Sequence, residues 1–369
     1  MRKNPLHFRK EEVNYVMQRW QASESCSLVG VGSVGKSNLL QHLADEDVQV
    51  HFMGDRAKNF KPIMIDPNLL GPIDSGETEQ IRCWAGYELM MHRLYLSFYP
   101  FDVLGSEVSS FIDVYQALQD GTNPLYAYMG LRYFELGLEF FLRRGIQLVF
   151  MFDEFEELFR QMPPKFFQTL RGLRDNHKSR LSFLAFSREP IPVMVEKMGL
   201  PELLVEPFTE LFTDNVYYVG PYNSVDAQAM VDRLVQRNPQ QNISNHAIEF
   251  LLRASGRYAG ILRAGFRSLE WLGNVAPNDI DSQFLVDKLA SRRPVQAECE
   301  TIWKSLTDIE QQVLKFVARQ KVEDSNAEAE RAVALLVQKR LLLVDHQRQS
   351  LHIQPPVFYS YIQKVILRP

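Results

Sequence analysis

Cysteine is scarce in this chain: Cys26, Cys83 and Cys299 are the only three in 369 residues, odd in number and far apart. No Cys-x-x-Cys spacing offers a zinc ligand pair or a redox couple, and a disulfide framework is excluded. A reducing compartment, the cytoplasm, is therefore the expected location. Long apolar runs are also missing. No window approaches eighteen uncharged apolar residues, and the greasiest stretch, CWAGYELMMHRLYLSFYPF (83–101), is interrupted by Glu88, His92 and Arg93. It reads as a buried amphipathic helix, so no membrane contact is expected. The opening MRKNPLHFRKEEVNYVMQRW lacks the apolar core of a secretory leader. Excess charge of either sign is absent too, since 41 Lys plus Arg against 45 Asp plus Glu leaves −4. No global positive field draws the chain to nucleic acid, and any DNA contact must be local. No repeat of 20 to 50 residues is visible.

What remains is an ordinary globular composition, 46% hydrophobic and 23% charged, with length for two or three domains. Up to residue 219, short apolar runs alternate with helical stretches, the pattern of a parallel sheet with crossover helices. The expected strands are Ser25 to Gly30, Pro62 to Asp66, Gln147 to Asp153, Leu181 to Ser187 and Val216 to Val219. Between the second and third, an aromatic-rich helical insertion (about 76–144) has room for two or three helices. Residues 220–290 read as an all-helical domain. Asn223 and Ser244 are its helix caps, and a third helix carries Ile261, Leu262, Phe266, Leu269 and Leu272. SRRPVQAE (291–298) reads as a linker. From 298 to 369 the order is helix, helix, strand, strand, helix. It begins at the capping box TDIE (307–310), with LLLVD and LHIQ as the two strands, and that order suits a winged helix.

The chemistry is concentrated at three strand ends. SLVGVGSVGKSNLL (27–40) contains Gly-x-x-x-x-Gly-Lys-Ser between an apolar strand and a helix-forming segment, the arrangement of a phosphate-binding loop. Glycines let successive N–H groups curl around a β-phosphate, and the helix N-terminus adds positive charge. Gly30, Gly32, Ser33, Val34, Gly35, Lys36, Ser37 and Asn38 are the candidate nucleotide-binding residues. Lys36 would reach the β- and γ-phosphates, and Ser37 would ligate Mg²⁺. LVFMFDEFEELF (148–159) places Asp153 and Glu154 at the end of a buried strand, where Asp153 would hold the metal through water and Glu154 would polarise the attacking water. RLSFLAFSREP (180–190) ends in Ser187 and Arg188, and a guanidinium there could touch the γ-phosphate and tell ATP from ADP.

This order of motifs, with FFQTLRGLRD between the acidic and Ser-Arg strands, a helical lid and a winged helix, resembles the STAND ATPases. Their relatives are the archaeal-type and origin-recognition-like AAA+ ATPases. The resemblance covers nearly the whole chain, and KNPLHFRKEEVNYVMQRW is similar to the segment those proteins place beside the adenine. It implies an α/β fold, a P-loop NTPase parallel sheet with flanking helices (1–219), then a lid (220–290) and a winged helix (298–369). Arg188 matches the family's sensor arginine and Ser187 the small hydroxyl residue before it. The chain departs from the pattern where Ala259 stands in place of a lid proline, and where His352 lacks a neighbouring aspartate. The resemblance offers Arg263 as a second sensor on the lid, and Arg171 or Arg174 as a finger in trans. The plain alternative for each is a surface arginine.

Guanine-reading Asn-Lys-x-Asp and the transporter Ser-Gly-Gly-Gln signature are absent, so ATP is the expected nucleotide, with ADP as product. Two functions are open. One is a signalling switch that binds and slowly hydrolyses ATP and forms a homo-oligomer on ATP binding. Because the chain ends at Pro369 without an effector or repeat sensor, that switch would act through a separate effector or sensor protein. The other is a DNA-handling AAA+ ATPase of initiator or transposition-regulator type. The helix AEAERAVALLVQKR offers it only Arg331, Lys339 and Arg340, and the wing Arg348.

Overall fold

A computed structural model describes residues 4–71, 73–74, 76–101, 107–241, 243–272, 275–320, 327–345, 347 and 350–367. The chain divides into two compact units. One is Met1–Val29 with Ser37–Tyr217; the other is Gly30–Lys36 with Tyr218–Pro369.

The first unit is built on a five-stranded parallel sheet: β1 (Cys26–Val29), β2 (Phe60–Ile65), β3 (Gln147–Phe152), β4 (Leu181–Ser187) and β5 (Val216–Tyr218), in the order β2-β3-β4-β1-β5. Continuous apolar runs make β1, β3 and β4, as strands covered on both faces require. All seven residues of β4 are buried. Register places Val29 beside Ser187 and Phe152 beside Ala185. The strands therefore finish together, and the β1, β2, β3 and β4 turns all leave the same edge. Because β4 lies between β1 and β3, its Ser187–Arg188 end stands between the loop strand and the acidic strand.

Among the described residues the insertion forms three helices, Glu79–Phe98, Val108–Gln119 and Tyr126–Leu142. Thr78 caps the first by accepting from the Ile81 amide. Phe134 of the third meets Phe150 of β3 with ring centroids 6.3 Å apart. Tyr87 stacks on Phe134 at 5.5 Å and on Phe166 at 5.4 Å, while Phe155, Phe167, Phe183 and Phe208 form a second cluster. Each fully buried Phe contributes about 1.5–3 kcal/mol relative to exposure.

The second unit is mainly helical. Asn223 and Ser244 cap helices Ser224–Arg237 and Asn245–Ala254, as the sequence predicts. The third helix, Ala259–Phe266, is shorter than expected. Arg267 closes it, and Leu269–Leu272 form a separate 3₁₀ turn. The expected linker at 291–298 is corrected: it opens a twelve-residue helix, Arg293–Lys304. Pro294 sits in the first turn, where its missing N–H costs nothing, and Val295, Cys299, Ile302 and Trp303 form one buried face. The Thr307–Glu310 capping box starts helix Asp308–Ala318. Helix Ala327–Gln338, an antiparallel pair β6 (Leu342–Asp345) and β7 (Ser350–Ile353), and a final helix from Pro356 follow. Arg348, the expected wing cation, lies outside the described residues.

Tyr258 is fully buried and its hydroxyl donates to the Arg340 carbonyl at 3.0 Å. This ties the helices after residue 220 to the C-terminal segment. No helix of the described residues is long and apolar enough to cross a membrane.

Candidate functional site

The carboxylate cluster lies wholly in the first unit. Asp153 and Glu154 follow β3 directly. The Asp153 amide donates to the Ile65 carbonyl at 3.0 Å, so β2 fixes the turn, and Asp153 Oδ1 accepts from the Glu154 amide at 3.0 Å. Asp153 Oδ2 is 3.5 Å from the Ser37 hydroxyl, across 116 positions of sequence. A hydroxyl and a carboxylate oxygen in this relation are hard donors of the kind that hold Mg²⁺ when phosphates and water complete its shell. Among the described residues no group of three or more His, Cys, Asp or Glu is disposed to hold a metal.

Glu154 adopts φ 44°, ψ 54°, the left-handed region, as the residue preceding helix Phe155–Gln161. A non-glycine residue there costs of order 1–3 kcal/mol and needs surrounding structure to hold it. Both carboxylate oxygens are engaged: Oε2 accepts from Asn68 Nδ2 at 3.1 Å and Oε1 from Arg188 Nη2 at 3.3 Å. Asp66 orients Asn68 by accepting from its amide and its side chain, each at 3.0 Å.

Arg188 also lies 3.1 Å from Glu156. The Glu156 side chain is only 6% exposed and, among the described residues, neither of its oxygens has a hydrogen bond. The pairing is therefore ionic and poorly aligned, and the guanidinium neutralises a carboxylate that burial would otherwise penalise. The sequence reading omits both Glu156 and Asn68. The acidic run held a signal for Glu156, in that a third carboxylate two residues after Glu154 shares its turn. Asn68 had none.

Gly30 to Lys36, expected from the sequence to bind phosphate, belong to the second unit. Gly35 has φ +92°, a conformation that favours glycine. Ser33 is also left-handed at φ 66°. Lys36 opens helix Lys36–Leu43, and its Nζ donates to the Gly30 carbonyl at 3.3 Å, closing the loop on itself. Val34 is fully buried, so it can offer a ligand only its backbone. Asn38 is half-buried in the first helical turn. The Gly32 amide donates to Ser305 Oγ at 3.3 Å and the Ser33 hydroxyl to Glu298 Oε2 at 2.5 Å.

Ser187 is fully buried, its hydroxyl donating to the Glu189 carbonyl at 2.7 Å. The proposed trans arginines are engaged locally. Arg171 pairs with Asp175 at 2.9 Å and also contacts the Pro207 carbonyl, while Arg174 donates to the Ser23 carbonyl at 2.9 Å. Arg263 is exposed, and His352 is exposed with its Nε2 3.0 Å from Ser350 Oγ. Lys339, expected at a nucleic-acid face, is instead fully buried against Glu310 at 2.7 and 2.9 Å.

No protein-family model matches the chain, and no curated protein matches it in sequence. Solved structures do. A Walker-type ATPase of Pyrococcus abyssi is similar over 96% of this chain and 95% of its own, at 15% identity and a TM-score of 0.51. The ORC2 protein of Aeropyrum pernix, solved with ADPNP and ADP, is similar over 98% of this chain and 94% of its own, at 11% identity and a TM-score of 0.51. Together with the sheet order, these likenesses establish the P-loop ATPase fold with helical domains.

Proposed function

We propose that the chain is an ATP-binding and ATP-hydrolysing switch of the AAA+/STAND kind, whose nucleotide state governs self-association and contact with a partner protein. The observation that supports this reading is the 3.5 Å approach of Ser37 to Asp153 within the first unit, since Ser37 ends the Gly-Lys-Ser motif and Asp153 begins the acidic pair. The loop amides and the N-terminus of helix Lys36–Leu43 cradle the phosphates, and Lys36 leaves the Gly30 carbonyl to balance their charge. Glu154 accepts a proton from water as that water attacks the terminal phosphorus, and the bond to the bridging oxygen breaks to release ADP and phosphate. Arg188 steadies the charge on the transferring oxygens. Mg²⁺ held through Ser37 and Asp153 would supply further neutralisation there.

Arg188 gives this site a switch. While its guanidinium bridges Glu154 and Glu156, the general base is occupied. A terminal phosphate competes for the same guanidinium and favours the arrangement in which Glu154 is free.

DNA handling is the second reading, favoured by the C-terminal order of helices and hairpin, which suits a winged helix. Burial of Lys339 weakens it, because this cation is committed to Glu310 and a phosphate-contacting surface needs free cations.

The experiment measures nucleotide affinity, phosphate release and particle mass with ATP, ADP and a non-hydrolysable analogue, with and without duplex DNA. Lys36→Ala is expected to abolish nucleotide binding. Glu154→Gln should retain ATP but lose hydrolysis by about 10²-fold or more. Unchanged hydrolysis in both rejects the site, and strong stimulation by DNA moves the assignment to the second reading.

A further inference from the structure

The helix Arg293–Lys304 does more than connect two segments. At its centre Glu298 takes the Ser33 hydroxyl on Oε2 at 2.5 Å and, more weakly, on its own carbonyl at 3.4 Å. Just past its end, the Ser305 hydroxyl takes the Gly32 amide at 3.3 Å. Two successive residues of an anion-binding loop are thus engaged by one element of the same unit, and one of the acceptors is itself an anion.

The seat is close-fitting. A Cβ on Gly32 would come within 2.7 Å of Thr301 Cγ2 and 2.9 Å of its carbonyl oxygen, and a Cβ on Gly260 within 2.1 Å of Glu298 Oε2. The Gly260 amide meanwhile donates to the Ser33 carbonyl at 2.9 Å. Absent side chains at 32 and 260 are what allow the carboxylate to reach the loop.

We infer that Glu298 determines triphosphate against diphosphate specificity: its carboxylate is an internal anion on the phosphate loop that a terminal phosphate must displace. This rests on the nucleotide-site reading above. The inner phosphates belong to the helix N-terminus at Lys36, which leaves Gly32 and Ser33 to border the terminal one. Two anions held a few ångströms apart in partly desolvated surroundings repel strongly enough to shift an affinity by tenfold or more. A diphosphate, ending earlier, meets less of that repulsion. Occupation by a triphosphate therefore expels Glu298 from Ser33 and loosens this helix from the loop.

The test is calorimetric titration of the full chain with ADP and with β,γ-imido-ATP, comparing wild type, Glu298→Gln and Lys36→Ala. Glutamine keeps an oxygen for Ser33 and removes only the charge. Glu298→Gln should bind imido-ATP about tenfold more tightly, with ADP changing less than about threefold. An equal gain for both ligands, no gain, or a loss overturns the inference. Ser33→Ala, which removes the hydroxyl but keeps the loop amide, should shift selectivity in the same direction, and it decides the matter if Glu298→Gln does not fold. Loss of both ligands in Lys36→Ala keeps the nucleotide site standing whichever way Glu298 falls. Retention of both sinks the site itself.

Discussion

At the scale of single residues, the environment decides which of several identical side chains matters. Glu154 and Glu156 are two positions apart, yet Glu154 points its oxygens at Asn68 and Arg188, while Glu156 is buried with the Arg188 charge beside it. Arg188 serves both, so its position records the balance of two carboxylates. His42 shows the same dependence on surroundings. It is 3% exposed, its ring meets Phe8 edge-on at 5.2 Å, and burial lowers its pKa below the ordinary 6.5 despite the opposing pull of Asp45 and the Leu6 backbone. The unfolded chain therefore takes up this proton at a higher pH than the folded one. Stability from keeping His42 neutral is complete above about pH 6.5 and declines as pH falls through and below that value. Thermal midpoints recorded from pH 7.5 to 5 should fall for the wild type, and His42→Leu should fall less over the same interval. Parallel curves would deny His42 the role.

Elements of this chain are legible in proportion to how local their signals are. β4 runs Leu181–Ser187 as its apolar letters require, and the Thr307–Glu310 box starts a helix because both of its partners lie within four residues. The 291–298 stretch failed as a linker because its polar letters, Gln296 and Glu298, obscured the start of a buried stripe at 295, 299, 302 and 303 that only helical spacing connects. Between helices Asp308–Ala318 and Ala327–Gln338, the Glu310–Lys339 pair is completely buried, with both side chains at 0% exposure. Removing one partner strands the other's charge. Lys339→Met alone should cost about 3–5 kcal/mol, and adding Glu310→Gln should recover part of it. Urea unfolding followed by circular dichroism checks the order of the three midpoints, and a double variant no better than the single would mean the cost lies in packing rather than charge.

For the whole molecule, the cysteines are a convenient probe of integrity. Cys26 and Cys83 lie in the first unit and Cys299 in the second, all buried. Burial holds Cys26 up to about 12, Cys83 up to about 11, and raises Cys299 as well. With thiolate suppressed and access denied, a thiol reagent at pH 8 should titrate none of the three in the native chain and all three in guanidinium. One fast thiol without denaturant would show that a unit opens locally.

The sequence alone determined the alternation of strands and helices in the first unit, the Gly-Lys-Ser motif between a strand and a helix, and the acidic pair and Ser-Arg at strand ends, because each is a short-range pattern of period, glycine spacing or cap. Only the tertiary structure decided that β4 separates β1 from β3, that Asn68 reaches Glu154, that Lys339 is spent inside the protein and that Glu298 rests on Ser33. These are meetings of common side chains tens to hundreds of positions apart. Nothing in their letters marks them, because burial and distance, rather than residue type, decide which partner a carboxylate meets.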